Sequence, residues 1–93
     1  MAIESFCCRD TRALFEGQRV ARFRSIEAVA LRKLAVLNRV QRLDELRIPP
    51  GNRLEGLSGK RRGQWSVRIN DQWRICFRFV GQNVMDVEIV DYH

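Results

Sequence analysis

The hydrophobic period of this chain changes once, near Pro49-Pro50-Gly51, and that change restricts what it can fold into. Before it, apolar residues recur at helical spacing. Placed at about 100° per residue, Ile26, Val29, Ala30, Leu34, Val36, Leu37 and Val40 fall in one arc of roughly half a helix circumference. Glu27, Arg32, Asn38, Arg39 and Arg42 lie elsewhere, and Lys33 interrupts the apolar arc, where it has to snorkel. Ser25 is a suitable N-cap, so the spacing predicts one long amphipathic helix over 26–42 with a single buried face. Pro49-Pro50 stops any helix before it.

After the break the period is two. Trp65, Val67 and Ile69 alternate with Ser66 and Arg68. Trp73, Ile75, Phe77 and Phe79 alternate with Arg74, Cys76 and Arg78. Met85, Val87 and Ile89 alternate with Asp86 and Glu88. Three such segments read as half-buried strands. The connections Asn70-Asp71-Gln72 and Gly81-Gln82-Asn83 are too short for anything but antiparallel neighbours. Residues 52–57 read as a further strand ahead of them. Upstream, Ile3 to Cys8 reads as a short edge strand, Thr11 to Glu16 as a short helix begun at Asp10-Thr11 and ended by Gly17, and Gln18 to Arg24 as loop. The expected fold is α+β: two N-terminal helices packed on one face of a small twisted antiparallel sheet, in a single domain over 1–93. The apolar sheet face carries Trp65, Trp73, Ile75 and Phe77, which makes both tryptophans core residues before base-stacking platforms.

The 93-residue chain carries a formal charge of +6, and of its seventeen basic residues only Lys33 and Lys60 are lysines. Arginine grips phosphate in two places and stacks on bases, so the bias suits a nucleic-acid partner. GC-rich coding would produce the same bias. Cys7, Cys8 and Cys76 form no C-x-x-C pair, and His93 is the sole histidine. A four-ligand zinc site is therefore not expected. Reduced thiols and the lack of any signal-peptide pattern or long apolar run point to a cytoplasmic protein without membrane contact.

Candidate chemistry lies on the other sheet face, with Ser66, Arg68, Arg74, Cys76 and Arg78. Arg68 and Arg74 flank a tight turn and should stand side by side, which is unfavourable unless an anion intervenes. Between Arg47 and Phe79 there are eight basic residues and two acidic ones, Glu55 and Asp71. Ordinary solvated strands also expose arginines, so the face alone does not define a site. The chain ends Asp91-Tyr92-His93, directly after a strand that should anchor it. All three side chains can move protons. Cleaving RNA through its own 2′-hydroxyl requires a proton to be drawn off, negative charge on the phosphorane to be offset, and the leaving 5′-oxygen to be protonated. Arginines suit the second task, and the terminal residues suit the other two.

The stretches Pro50-Gly51-Asn52-Arg53-Leu54-Glu55-Gly56-Leu57 and Gly63-Gln64-Trp65-Ser66-Val67-Arg68-Ile69-Asn70-Asp71-Gln72-Trp73-Arg74-Ile75-Cys76-Phe77 resemble the core of HigB-type toxins, in the RelE/ParE superfamily. The ending Val87-Glu88-Ile89-Val90-Asp91-Tyr92-His93 is similar to their C-terminus. The resemblance implies a RelE-like fold and a ribosome-dependent endoribonuclease that cleaves mRNA in the ribosomal A site without metal or cofactor. It also implies a neighbouring HigA-like helix-turn-helix antitoxin, through which alone the pair would contact operator DNA. Matched residue by residue, it places catalytic roles on Asp91, Tyr92, His93, Arg68 and Arg74, and RNA contacts on Arg53, Lys60, Arg61, Arg62 and Asn70. Some members carry histidine where this chain has Glu55. That residue is either a general base or a plain surface glutamate, and a two-histidine acid–base pair is ruled out. Because the ribosome would orient the message, the isolated protein should be a poor nuclease on free RNA. The competing expectation is a non-catalytic module that binds RNA or a partner and acts within a repressor complex.

Overall fold

The computed structural model describes residues 2–92. Helix α1 spans Arg9–Phe15 and α2 spans Glu27–Arg39. They are followed by strands β1 (Glu55–Gly56), β2 (Trp65–Arg68), β3 (Trp73–Val80) and β4 (Asn83–Asp91), which form one antiparallel sheet in the order β1-β2-β3-β4. The α+β layering is as the change of period requires. Ala30, Leu34 and Leu37 of α2 are fully buried in one core with Val67, Ile75, Phe77, Val84, Val87 and Ile89 of the sheet. Trp73 joins that core edge-on to Phe23, with ring centroids 5.6 Å apart, while Trp65 is half-buried at its margin.

Several local expectations are corrected. The segment expected as loop before the long helix turns into a 3-10 helix over Ala21–Ile26. A 3-10 turn aligns residues three apart, and here it buries both Phe23 and Ile26. Ser25 therefore lies inside that turn and caps nothing; α2 is entered from Ile26 and stops at Arg39, where Val40 goes extended. Helix α1 starts at Arg9, two residues before Thr11, and the Thr11 hydroxyl faces inward to accept the Ile89 N–H at 3.0 Å. The N-terminal segment is not a continuous strand. It touches the free edge of β4 through two parallel bridges, Ile3 with Val84 and Phe6 with Val87.

The cause of that interruption is a bulge in β4. Asp86 has φ of 53°, the left-handed region rarely used by non-glycine residues. Its N–H is taken by the Ser5 hydroxyl at 2.9 Å. The extra residue shifts the alternation, so that Val84 and Val87 point into the core while Met85, expected beside Val87, pairs with Arg78 on the opposite face. No helix among the described residues is long and apolar enough to cross a membrane.

Candidate functional site

The sheet face turned away from the helices is built by register. Glu55 pairs with Ser66, Ser66 with Cys76, Arg68 with Arg74, and Cys76 with Glu88. Paired residues project to the same side, so Glu55, Ser66, Arg68, Arg74, Cys76 and Glu88 share this face. The expected juxtaposition of Arg68 and Arg74 is present. The face is not an open plain of arginines, however: Ser66 and Cys76 are completely buried although they lie on the outer side. A second layer of side chains covers them.

Arg74 is the centre of that layer. Its Nε donates to Ser66 Oγ at 2.8 Å, and its Nη2 donates to the Arg53 carbonyl at 2.6 Å. Glu55 Oε1 lies 3.9 Å from the same Nη2, and the Arg74 side chain is only 11% exposed. Arg53 closes the 3-10 turn Pro50–Asn52 with φ of 45°, the conformation that goes with its carbonyl meeting Arg74. Tyr92 completes the layer. The Arg74 guanidinium carbon is 5.9 Å from the Tyr92 ring centroid, and the Tyr92 hydroxyl is 3.9 Å from Cys76 Sγ. A tight backbone bond from Tyr92 N to the Gln72 carbonyl, 2.6 Å, anchors this end of the chain to the β2–β3 turn.

The remaining site candidates fall around this centre. Arg61 is half-buried, donating to Gln64 and Glu88, while Lys60 and Arg62 on the same turn are exposed. Arg68 is tied to Asp71. Asn70 uses its Oδ1 within the turn, accepting the N–H groups of Gln72 and Trp73 at 2.9 and 2.8 Å. Asp91 pairs across from Trp73, so the pleat turns it to the helix side of the sheet, where it accepts from Gln72 Nε2 at 3.0 Å. Asp91 and Tyr92 therefore leave β4 on opposite faces. His93 lies outside the described residues. The anticipated repulsion between neighbouring arginines is relieved internally: Arg61, Arg68, Arg74 and Arg78 each have a carboxylate partner, in Glu88, Asp71, Glu55 and Asp86.

Burial sets the protonation states at the centre. The Cys76 thiol is pushed up by burial, and the Tyr92 phenol by burial and by its contact with Cys76. Both therefore stay protonated through the neutral range. Cys8 behaves oppposite to Cys76. Burial raises it, but the Thr11 hydroxyl and the N–H groups of Thr11 and Asp10, with Arg22 nearby, outweigh that and lower it. Iodoacetamide at neutral pH is expected to label Cys7 and Cys8 and to spare Cys76 until the protein is unfolded. Mass spectrometry of the intact protein and its peptides checks this; fast labelling of Cys76 in the native state would show that Tyr92 does not cover it.

Two residues that matter here had only faint signals in the sequence. The alternation puts Ser66 on the outer face but does not mark it as the seat of Arg74, because a buried serine is indistinguishable from an exposed one in an alternating pattern. Lys33 is legible only as a cation in an apolar arc. In the fold its Nζ donates to Asn52 Oδ1 at 2.6 Å, and burial together with Arg32, Arg68 and Arg74 lowers its pKa.

Comparison with known proteins now gives this arrangement its class. The fold matches that of a YoeB/ParE toxin from Agrobacterium tumefaciens, with a TM-score of 0.52 at 20% identity, covering 97% of this chain and 99% of that one. A family model described as the RelE-like toxin of the type II toxin–antitoxin system HigB matches residues 12–93, and the chain belongs to that HigB-like toxin family. Among curated relatives, Toxin HigB-1 of Vibrio cholerae is 48% identical over 56 residues, which is 60% of this chain and 59% of that protein. Endoribonuclease HigB of Proteus vulgaris is 37% identical over 41 residues, 44% of this chain and 45% of its own length. The matched stretch thus spans less than two thirds of each of these relatives.

Proposed function

We propose that the chain is an endoribonuclease toxin that cleaves mRNA in the ribosomal A site, with the outer sheet face as its active surface. The observation that carries this reading is the placement of a nearly buried guanidinium, Arg74, beside a protonated phenol, Tyr92, over one serine and one cysteine. A phosphodiester laid on this spot can touch both groups. Arg74, fixed by Ser66 and Arg53, offsets the charge that builds on the phosphorane. Tyr92 protonates the leaving 5′-oxygen or holds the phosphate while His93 does so. Glu55 or His93 draws the proton from the 2′-hydroxyl, while Asp91, on the helix side of the sheet, steadies Gln72 of the β2–β3 turn. Arg68, Lys60, Arg61, Arg62, Arg53 and Asn70 line the approach and contact message or ribosomal RNA. Such a surface gains rate from positioning and charge, which agrees with a ribosome that presents the message in register. The named endoribonuclease relative supports the same chemistry. A HigA-like helix-turn-helix antitoxin is the proposed partner, and operator DNA is reached through it.

Induced expression tests the proposal. The full chain is expected to arrest growth and to create new mRNA 5′ ends inside translated codons. Removal of residues 91–93 should restore growth and erase those ends. Arrest that persists after this truncation, or 5′ ends unchanged on induction, would leave a binding protein rather than a nuclease.

A further inference from the structure

We infer that Lys33 is a second anion seat, taking a backbone phosphate of the RNA strand as it leaves the outer sheet face and passes over the edge onto α2. This rests on the reading of the chain as an RNA-cleaving protein and adds a contact that neither the motif nor the sheet supplies.

The first observation is how the ammonium is held. Lys33 stands one turn from Ala30 and Leu37 on the buried side of α2, where packing alone would favour an aliphatic residue. Its Nζ donates to Asn52 Oδ1 at 2.6 Å. Asn52 is itself only 6% exposed, and its Nδ2 donates to the carbonyls of Leu46 and Ile48 at 3.2 and 3.4 Å. The carboxamide thus has one possible orientation, oxygen toward the lysine. An ammonium has three donors, and Asn52 takes one.

The second observation is charge. Burial acts against the Lys33 ammonium, and so do the guanidinium groups of Arg32, Arg68 and Arg74. Asp71 and Glu55 offset part of the charge of Arg68 and Arg74, whereas the partner that holds Lys33, Asn52, is neutral. A cation gathered into the field of three others, and fixed there by a buried amide, costs free energy that an anion between them would return.

The third observation decides the kind of anion. Lys33 and Arg32 also rim a groove of about 320 Å³ with an aliphatic floor that includes Val36, Ile48 and Pro49. An acidic protein segment could rest there. The strand of RNA is favoured because Asn52, which holds Lys33, is followed directly by Arg53, whose carbonyl takes the Arg74 Nη2, so the ammonium and a guanidinium assigned to the message are held by one turn. A polyanion lying on that guanidinium extends to Lys33 without a second binding event.

The test is the salt dependence of binding to a fluorescein-labelled 2′-O-methyl oligonucleotide, which has no 2′-hydroxyl to attack, read by anisotropy. Each phosphate contact on single-stranded nucleic acid adds about 0.7 to the slope of log affinity against log salt. Lys33→Gln and Lys33→Met should each lower the slope by about that amount, and Lys33→Arg should keep it. Arg12→Gln removes an equal charge from α1 and should leave the slope unchanged. Slopes equal to the parent in both Lys33 variants, when Arg74→Ala lowers its own, would reduce Lys33 to a tie between α2 and the turn at 50–52 and overturn the seat alone. A parent with no salt-dependent binding would overturn the RNA reading with it. Loss of binding to an acidic partner protein with an unaltered RNA slope would assign the seat to a carboxylate and equally overturn the inference.

Discussion

Arg74→Ala is expected to abolish growth arrest on induction while leaving a folded protein. Loss of one group that stabilises developing negative charge typically lowers turnover about 10²–10³-fold, and Arg74 is the most enclosed guanidinium on the face. The structural cost is smaller. Ser66 loses its donor and the Arg53 carbonyl loses its partner, which together cost about 1–3 kcal/mol. Ribosome-bound cleavage assays and urea denaturation separate the two effects. Arg74→Lys keeps the charge but not the planar fork, and so cannot satisfy Ser66 and Arg53 together; its rate should fall between parent and alanine. A variant that cleaves at the parent rate would remove Arg74 from the chemistry and with it the proposed centre of the site.

The second large effect is on stability. Phe77 is fully buried on the core side of β3, opposite Trp65 and next to the register shift between Cys76 and Arg78. Phe77→Ala is expected to cost about 3–5 kcal/mol, a large share of the roughly 5–15 kcal/mol that holds a domain together. Urea titration followed by tryptophan fluorescence should show the midpoint falling with little change in slope. Val80→Ala, at an exposed position of the same strand, should stay within about 0.5 kcal/mol of the parent. Equal midpoints for the two variants would mean that the sheet does not close on α2 as described.

Much of this architecture is legible before any coordinates. A side chain every second residue faces the same way on a strand, and every third or fourth on a helix, so Ile75 and Leu34 declare their burial by position alone. The juxtaposition of Arg68 and Arg74 follows from the short turn between them, as does the antiparallel order of the last three strands. The β4 bulge was not legible. One residue in a left-handed conformation reverses the alternation beyond it, and nothing in Val84-Met85-Asp86-Val87 announces which residue that is; the Ser5 hydroxyl that takes the Asp86 N–H comes from the other end of the chain. The 3-10 entry to α2 was hidden for a similar reason, since Ser25 is a good cap wherever the core does not demand Phe23 and Ile26 together.

Periodicity and connections of a few residues are enough to fix the layers, the antiparallel order of the last three strands and the set of charged groups. They do not determine which arginine is free and which is held. Arg74 is seated by Ser66 across one strand pair and by Arg53 from a separate turn, and Lys33 meets the same field from the opposite layer. The bonds from Arg74 to Arg53 and from Lys33 to Asn52 join segments 21 and 19 residues apart, and it takes the closed fold to bring their charges together.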